Sequence, residues 1–167
     1  MTDTLVRHAA AANATYTGCH VYVSFDPQSR ADAGLRRFLN VMKGFPGYHV
    51  VVKERKPRGS FICQHQECRK PIRTCPHCQR ALQGTVEKGV DTALATDLIE
   101  AAIDDQFDGA ILVSADADFV PAVELVHRRT NKHVIHAYFK PKGQELRNAC
   151  WAHIYIDDLM GELRGSP

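Results

Sequence analysis

Two groups of residues in this 167-residue chain have the types and spacing that chemistry needs. The first is a pair of carboxylates, Asp116 and Asp118, reached at the end of the apolar run Ile111-Leu112-Val113 and preceded by Ser114. Two hard oxygen donors one residue apart in a turn suit Mg2+ or Mn2+, which need few protein carboxylates and take their remaining positions from water and phosphate. The same residues also suit a plainer role, with Asp118 as the N-cap of a following helix and Ser114 and Asp116 forming a Ser or Asx turn. The second group is four of the six cysteines, Cys63, Cys68, Cys75 and Cys78, spaced C-x4-C-x6-C-x2-C within sixteen residues. Thiolates are good zinc ligands. The Cys75-Pro76-His77-Cys78 turn lets two sulfurs reach one tetrahedral metal, and Cys63 and Cys68 close the site, with His65 or His77 able to replace one thiolate. Disulfides are the rival explanation, which a reducing compartment disfavours. Four protein ligands leave no open position, so this Zn2+ is expected to be structural, stabilising a loop too small for its own core. Cys19 and Cys150 read as buried apolar residues.

Charge is distributed unevenly around these groups. From Lys53 to Lys88 the chain carries Lys53, Arg55, Lys56, Arg58, Arg69, Lys70, Arg73, Arg80 and Lys88 against Glu54, Glu67 and Glu87. From Gly89 to Val126 it has no Lys or Arg, while Asp91, Asp97, Glu100, Asp104, Asp105, Asp108, Asp116, Asp118 and Glu124 accumulate. A basic segment followed by an acidic one suits a site where carboxylates hold a cation and neighbouring Lys and Arg hold a polyanion. Solvated faces give the same pattern. Within the cysteine segment Arg69, Lys70, Arg73 and Arg80 are candidates to face phosphates. The formal net charge of +2 is too near zero to argue for any partner by itself.

The elements that must position these residues follow from periodicity and breakers. Residues 20–24 (HVYVS) read as a strand ended by Asp26 and Pro27, and 48–53 (YHVVVK) as another. Between Ser29 and Lys43 the apolar positions Ala33, Leu35, Phe38, Leu39 and Met42 recur at helical spacing before Gly44, Pro46 and Gly47 stop the chain. Residues 90–107 predict a helix with Val90, Leu94, Leu98, Ala101 and Ala102 on one stripe. Asp91 lies in its first turn, where it also suits the helix dipole, and Asp97 borders the stripe on the other side. Asp104, Asp105 and Asp108 fall at the far end and read as solvated. Residues 109–114 (GAILVS) are the wholly apolar strand of a parallel sheet. A helix over 118–129, a strand over 133–139, a short helix near 144–150 and an edge strand over 153–157 complete an α/β alternation with a mainly parallel sheet. In such sheets ligands bind beyond the C-terminal ends of the strands, where Asp116 and Asp118 would sit.

With 44% hydrophobic and 24% charged residues, the chain suits one globular domain with a core of useful size. No stretch reaches the 18 or so apolar residues of a membrane span, and the first twelve residues lack the pattern of a signal peptide, so a cytoplasmic protein without membrane contact is expected.

The stretch from Lys88 to Tyr138 resembles the NYN domain of LabA-like proteins, a branch of the PIN-like nucleases. The pattern Lys-Gly-Val-Asp, a helix with a second Asp, then a strand followed by Ser-x-Asp-x-Asp-Phe is met by Lys88 to Asp91, by Asp97 and by Ser114 to Phe119. The family often carries a cysteine-rich insertion between its third strand and this helix, where Cys63 to Cys78 fall. The resemblance implies a three-layer, PIN-like (Rossmann-like) α/β fold over residues 19–158 with a zinc loop inserted at 61–83, an N-terminal segment 1–18 and a tail 159–167. It implies a metal-dependent ribonuclease in which Asp91, Asp116 and Asp118, with Asp97 as a fourth, bind Mg2+ or Mn2+ and activate water against an RNA phosphodiester. Lys88 joins Arg69, Lys70 and Arg73 as an RNA-binding residue, and a homo-oligomer is compatible with the family. The family's opening strand, which ends in Asp, has no counterpart before Cys19, and HVYVSFDP fits the second strand. The chain is then either cut short at its start or short of one carboxylate, so an RNA-binding or regulatory module that no longer cuts is the alternative. A third reading takes Asp116 to Val120 as the D-x-D-x-V signature of a haloacid dehalogenase-like phosphatase. That signature opens its domain, whereas only 47 residues follow Val120 here.

Overall fold

Short apolar runs alternate with amphipathic stretches along the chain, and the elements they form keep that order. They are α1 (Thr2–Ala9), β1 (Cys19–Phe25), α2 (Ala33–Met42), β2 (Tyr48–Glu54), β3 (Lys56–Pro57), β4 (Phe61–Ile62), β5 (Pro71–Ile72), β6 (Thr85–Val86), α3 (Val90–Ile103), β7 (Gly109–Val113), α4 (Val120–Arg129), β8 (His133–Tyr138), α5 (Gln144–Ala149), β9 (Ala152–Tyr155) and α6 (Met160–Leu163). Two 3-10 turns lie at Ala117–Phe119 and Ile156–Leu159. This computed structural model describes residues 2–9, 14–27, 29–58, 60–82 and 84–163. Met1, residues 10–13 of the N-terminal segment and residues 164–167 of the expected tail lie outside the described residues. The chain divides into two compact units, Met1–His20 with Asp91–Pro167, and Val21–Val90.

The first unit is built on a three-stranded parallel sheet in the order β7-β8-β9. Its register sets Leu112 opposite His136 and His136 opposite His153. Side chains alternate between the faces of a strand, so neighbouring apolar residues serve two cores. Leu112 and Val134 join Ala102, Phe119, Val123, Val126 and Leu146 beneath α3, α4 and α5. Ala137 faces the other way and packs with Leu5, Ile156 and Leu159, with Ile111 and Ile154 against them. Helices thus cover both faces, which is why GAILV and HVIHAY are apolar almost throughout. The segment before Cys19, which the sequence left without a described element, contributes α1, and its Leu5 is buried in the second core.

Asp105 and Asp108 are solvated, with side chains 82% and 107% exposed, and both also meet a cation. Asp105 takes a left-handed conformation (φ 59°) just past α3, where the Gln106 N–H donates 2.9 Å to the Ala101 carbonyl and closes the helix end. The Lys132 ammonium, only 12% exposed, pairs with Asp105 and lies 3.2 Å from Asp108. The hydrogen bond to Lys132 holds the Asp105 carboxyl below its usual range, and Asp105 raises Lys132 in turn. This contact ties the end of α3 to the start of β8, at the edge of the sheet opposite to the acid pair.

In the second unit β1 and β2 form a two-stranded sheet. The Arg55 N–H donates 2.9 Å to the Phe25 carbonyl, so the two strands finish side by side. β3 and β6 form an antiparallel ribbon, with Lys56 opposite Val86, from which the cysteine segment projects. Arg55, read from the sequence as part of a cationic arm, is paired: its Nη2 lies 3.2 Å from Glu87 Oε2 and its Nε donates to Ser24 Oγ at 3.0 Å. Ser24 donates to the same Glu87 oxygen.

Candidate functional site

β7 ends at Val113, and the next five residues form a turn held by its own side chains. The Asp116 N–H donates 3.1 Å to Ser114 Oγ, and the Asp118 N–H donates 3.0 Å to Asp116 Oδ1. The helix cap is therefore Asp116, two residues earlier than the sequence placed it, and the chain gains the 3-10 turn Ala117–Phe119 before α4. Burial explains the shift. Phe119 is 3% exposed in the first core, and the extra turn delivers its ring there. Capping engages Oδ1 of Asp116 and leaves Oδ2 for another partner. Asp116 and Asp118 are both exposed, at the C-terminal end of a parallel strand.

Beneath the turn lies a residue that sequence reasoning missed. His136 is fully buried, and its Nε2 lies 2.6 Å from the Ser114 carbonyl. Its ring is stacked on Tyr138, with centroids 4.2 Å apart and planes 6° from parallel. A second histidine, His127 on α4, accepts the Val134 N–H at 3.2 Å through Nε2. Burial lowers the pKa of both below the usual 6.5; His133 adds to this for His127, while the Ser114 bond opposes it for His136. Folding thus favours the neutral rings. Their contribution to stability is complete above the unfolded value near 6.5 and is lost as pH falls through the lower folded values. The urea midpoint is therefore expected to drop from pH 7.5 to pH 5.5, and His127→Gln is expected to flatten that drop; a midpoint that rises on acidification would refute the assignment.

α3 carries the other candidate acids. Gly89 has φ 77°, a left-handed turn that glycine adopts without strain, and it leads the chain from Lys88 into the helix. Asp91 is exposed in the first helical turn, and Asp97 is half-buried two turns later. Fourteen helical residues span about 21 Å and the five of β7 about 16 Å. The short link 104–108 turns the chain back between them, so the first turn of α3 lies towards the same end of the sheet as Asp116. Among the described residues, no three His, Cys, Asp or Glu side chains are close enough together to hold one ion. Neither Asp91, Asp116 and Asp118 nor the four clustered cysteines therefore form a preassembled metal site. That end of the sheet also carries cations the sequence did not single out: Lys140 Nζ lies 3.8 Å from the centre of the Tyr155 ring, and Arg147 Cζ lies 6.0 Å from it. Lys140 also reaches Asp158 at 3.5 Å.

The four clustered cysteines lie on two turns of matching design. In the first, β4 and β5 pair with Phe61 opposite Ile72, and the Cys63 N–H donates 2.9 Å to the Lys70 carbonyl. In the second, Thr74 bridges Ala81 and the Cys75 N–H donates 2.9 Å to the Arg80 carbonyl. In each, the residue after the second cysteine is left-handed, Arg69 with φ 43° and Gln79 with φ 57°. All six thiols are free. The backbone N–H groups of Cys78 and His77 hold the Cys75 thiol below its usual range, favouring the thiolate that binds metal. Arg69, Lys70, Arg73 and Lys88 are all exposed.

A parallel sheet covered on both faces, with carboxylates beyond the C-terminal ends of its strands, defines a layered α/β domain. Residues 20–157 match the NYN domain family, and the chain belongs to it, a PIN-like α/β family within a nuclease-like superfamily. Among solved structures it is similar to the crystal structure of a protein of unknown function from Vibrio parahaemolyticus, at 24% identity over 93% of this chain and 86% of that one, with a TM-score of 0.52. That likeness bears on the fold alone. No curated protein matches the chain.

Proposed function

We propose that this NYN domain is a metal-dependent ribonuclease that hydrolyses RNA phosphodiesters at the Asp116–Asp118 turn. The observation that carries the reading is the turn itself: two exposed carboxylates, braced by Ser114 and by their own backbone, at the edge of a parallel sheet where substrates bind. The donors are hard oxygens of the kind Mg2+ or Mn2+ takes, one or two at a time, alongside substrate phosphate. When bound, such an ion lowers the pKa of a water and offsets charge on the leaving oxygen. Asp116 and Asp118 would hold it directly, and Asp91 and Asp97 would contribute charge from α3. Arg69, Lys70, Arg73 and Lys88 would engage the RNA backbone, where each cation adds affinity that salt weakens.

The cysteine turns complete the proposal as a structural Zn2+ site, with Cys63, Cys68, Cys75 and Cys78 as its four thiolates. A non-glycine residue held left-handed costs about 1–2 kcal/mol. Here the Arg69 N–H donates to the His65 carbonyl and the Gln79 N–H to the Cys75 carbonyl, so the two turns close alike, and this repeated geometry supports a shared metal between the cysteine pairs. Reduced thiols suit the cytoplasm. No described helix is long and apolar enough to cross a membrane.

The test is cleavage of a single-stranded RNA with Mn2+ and with a chelator. Cutting is expected only with the ion, and an RNA that is bound yet never cut would instead support an RNA-binding module.

A further inference from the structure

We propose that His136 is a positioning residue for the Asp116–Asp118 turn. The inference rests on the reading of that turn as a cation site. A carbonyl oxygen only accepts, so the 2.6 Å contact with Ser114 makes Nε2 of His136 the protonated nitrogen and the donor. Ser114 is also the residue whose hydroxyl receives the Asp116 N–H. The bond from His136 thus fixes the backbone of the residue that starts the turn, and the turn fixes where Asp116 and Asp118 present their oxygens.

The ring has little freedom to do anything else. Tyr138 stacks on one face, and Gly143, left-handed at φ 81°, closes on its edge. A Cβ at Gly143 would stand 2.8 Å from His136 Cε1 and 3.3 Å from Nε2, so the residue there must be glycine for the ring to keep its place. The other nitrogen shows what the histidine is for. Nδ1 is buried with no hydrogen-bond partner among the described residues, a desolvation penalty that a phenyl ring would avoid while filling the same space. Packing alone is served better by Phe. What only the imidazole supplies is the Nε2–H held against Ser114.

His136→Phe removes that donor, and His136→Gln returns an N–H at a similar reach. Mn2+ binding, followed by electron paramagnetic resonance without RNA, is expected to weaken about tenfold in His136→Phe and to recover in His136→Gln, the size seen when a group that orients a metal ligand is lost. In cleavage assays kcat and the apparent Mn2+ affinity should fall while KM for RNA holds. Gly143→Ala, which pushes the ring off Ser114, should shift Mn2+ affinity the same way, and it decides the matter if His136→Phe does not fold. A long-range proton–nitrogen spectrum of the unaltered protein should show His136 protonated on Nε2 alone. Wild-type Mn2+ affinity in both His136→Phe and Gly143→Ala, or a proton on Nδ1 in place of Nε2, overturns the role of His136 and leaves the acid site standing. A protein that binds no Mn2+, whether or not Asp116 is intact, overturns the site reading and this inference with it.

Discussion

Asp116→Asn is expected to lower the rate of metal-dependent RNA cleavage about 100-fold or more. An ion that stabilises developing charge contributes several kcal/mol, and each 1.4 kcal/mol or so is a factor of ten in rate. The substitution is informative because Asp116 has two tasks. Its Oδ1 caps the 3-10 turn by accepting the Asp118 N–H, and asparagine caps about as well as aspartate. Folding should therefore be unchanged while ligand charge is lost. RNA binding is expected to hold or improve, since one fewer carboxylate repels phosphate, whereas neutralising Arg69, Lys70 and Arg73 together should weaken binding and flatten its salt dependence. Single-turnover cleavage and fluorescence anisotropy on the same RNA separate the two effects. A variant that cuts at the wild-type rate would remove Asp116 from the chemistry and leave it as a cap.

The second large effect concerns the cysteine turns. The purified protein is expected to carry about one zinc per chain, and Cys75→Ser to lose it. Structural zinc contributes about 10–16 kcal/mol of binding free energy in small peptides. The turns here have little else: Cys68, Cys78 and most residues between Phe61 and Ala81 are exposed, and β4 and β5 are two residues long. Amide exchange should accelerate across 61–82 in Cys75→Ser and in chelated protein while β7, β8 and β9 stay protected. Elemental analysis that finds no zinc, with unchanged exchange in the variant, would end the idea.

Much of this was legible in the sequence, for a physical reason: strands buried on both faces are apolar runs, and helices covering them keep a 3.6-residue period. GAILV, HVIHAY and the stripe of α3 carry that signal, and the resemblance to NYN domains rests on residues at their ends. What escaped depends on partners distant in the chain. Lys132 meets Asp105 twenty-seven positions earlier, so the ion pair made by these solvated acids past α3 did not show in the sequence. His136 sits in an apolar strand where the pattern shows only a buried position, and its role appears once Ser114 and Gly143 are seen against it. α1 is eight residues with one fully buried leucine, too short for periodicity to register. The capping residue was misplaced by one pair because both acids suit a cap, and only the burial of Phe119 decides between them.

The ribbon of β3 and β6 has one more consequence. The Arg58 N–H donates 2.8 Å to the Gly84 carbonyl, so the chain leaves and rejoins the ribbon at adjacent points. Closing a loop between such anchors costs little more when the loop is long than when it is short, about 0.6 kcal/mol per doubling. The cysteine segment is thus a cassette: the ribbon can carry it longer, exchanged for another module or reduced to a tight turn, and stay in place itself.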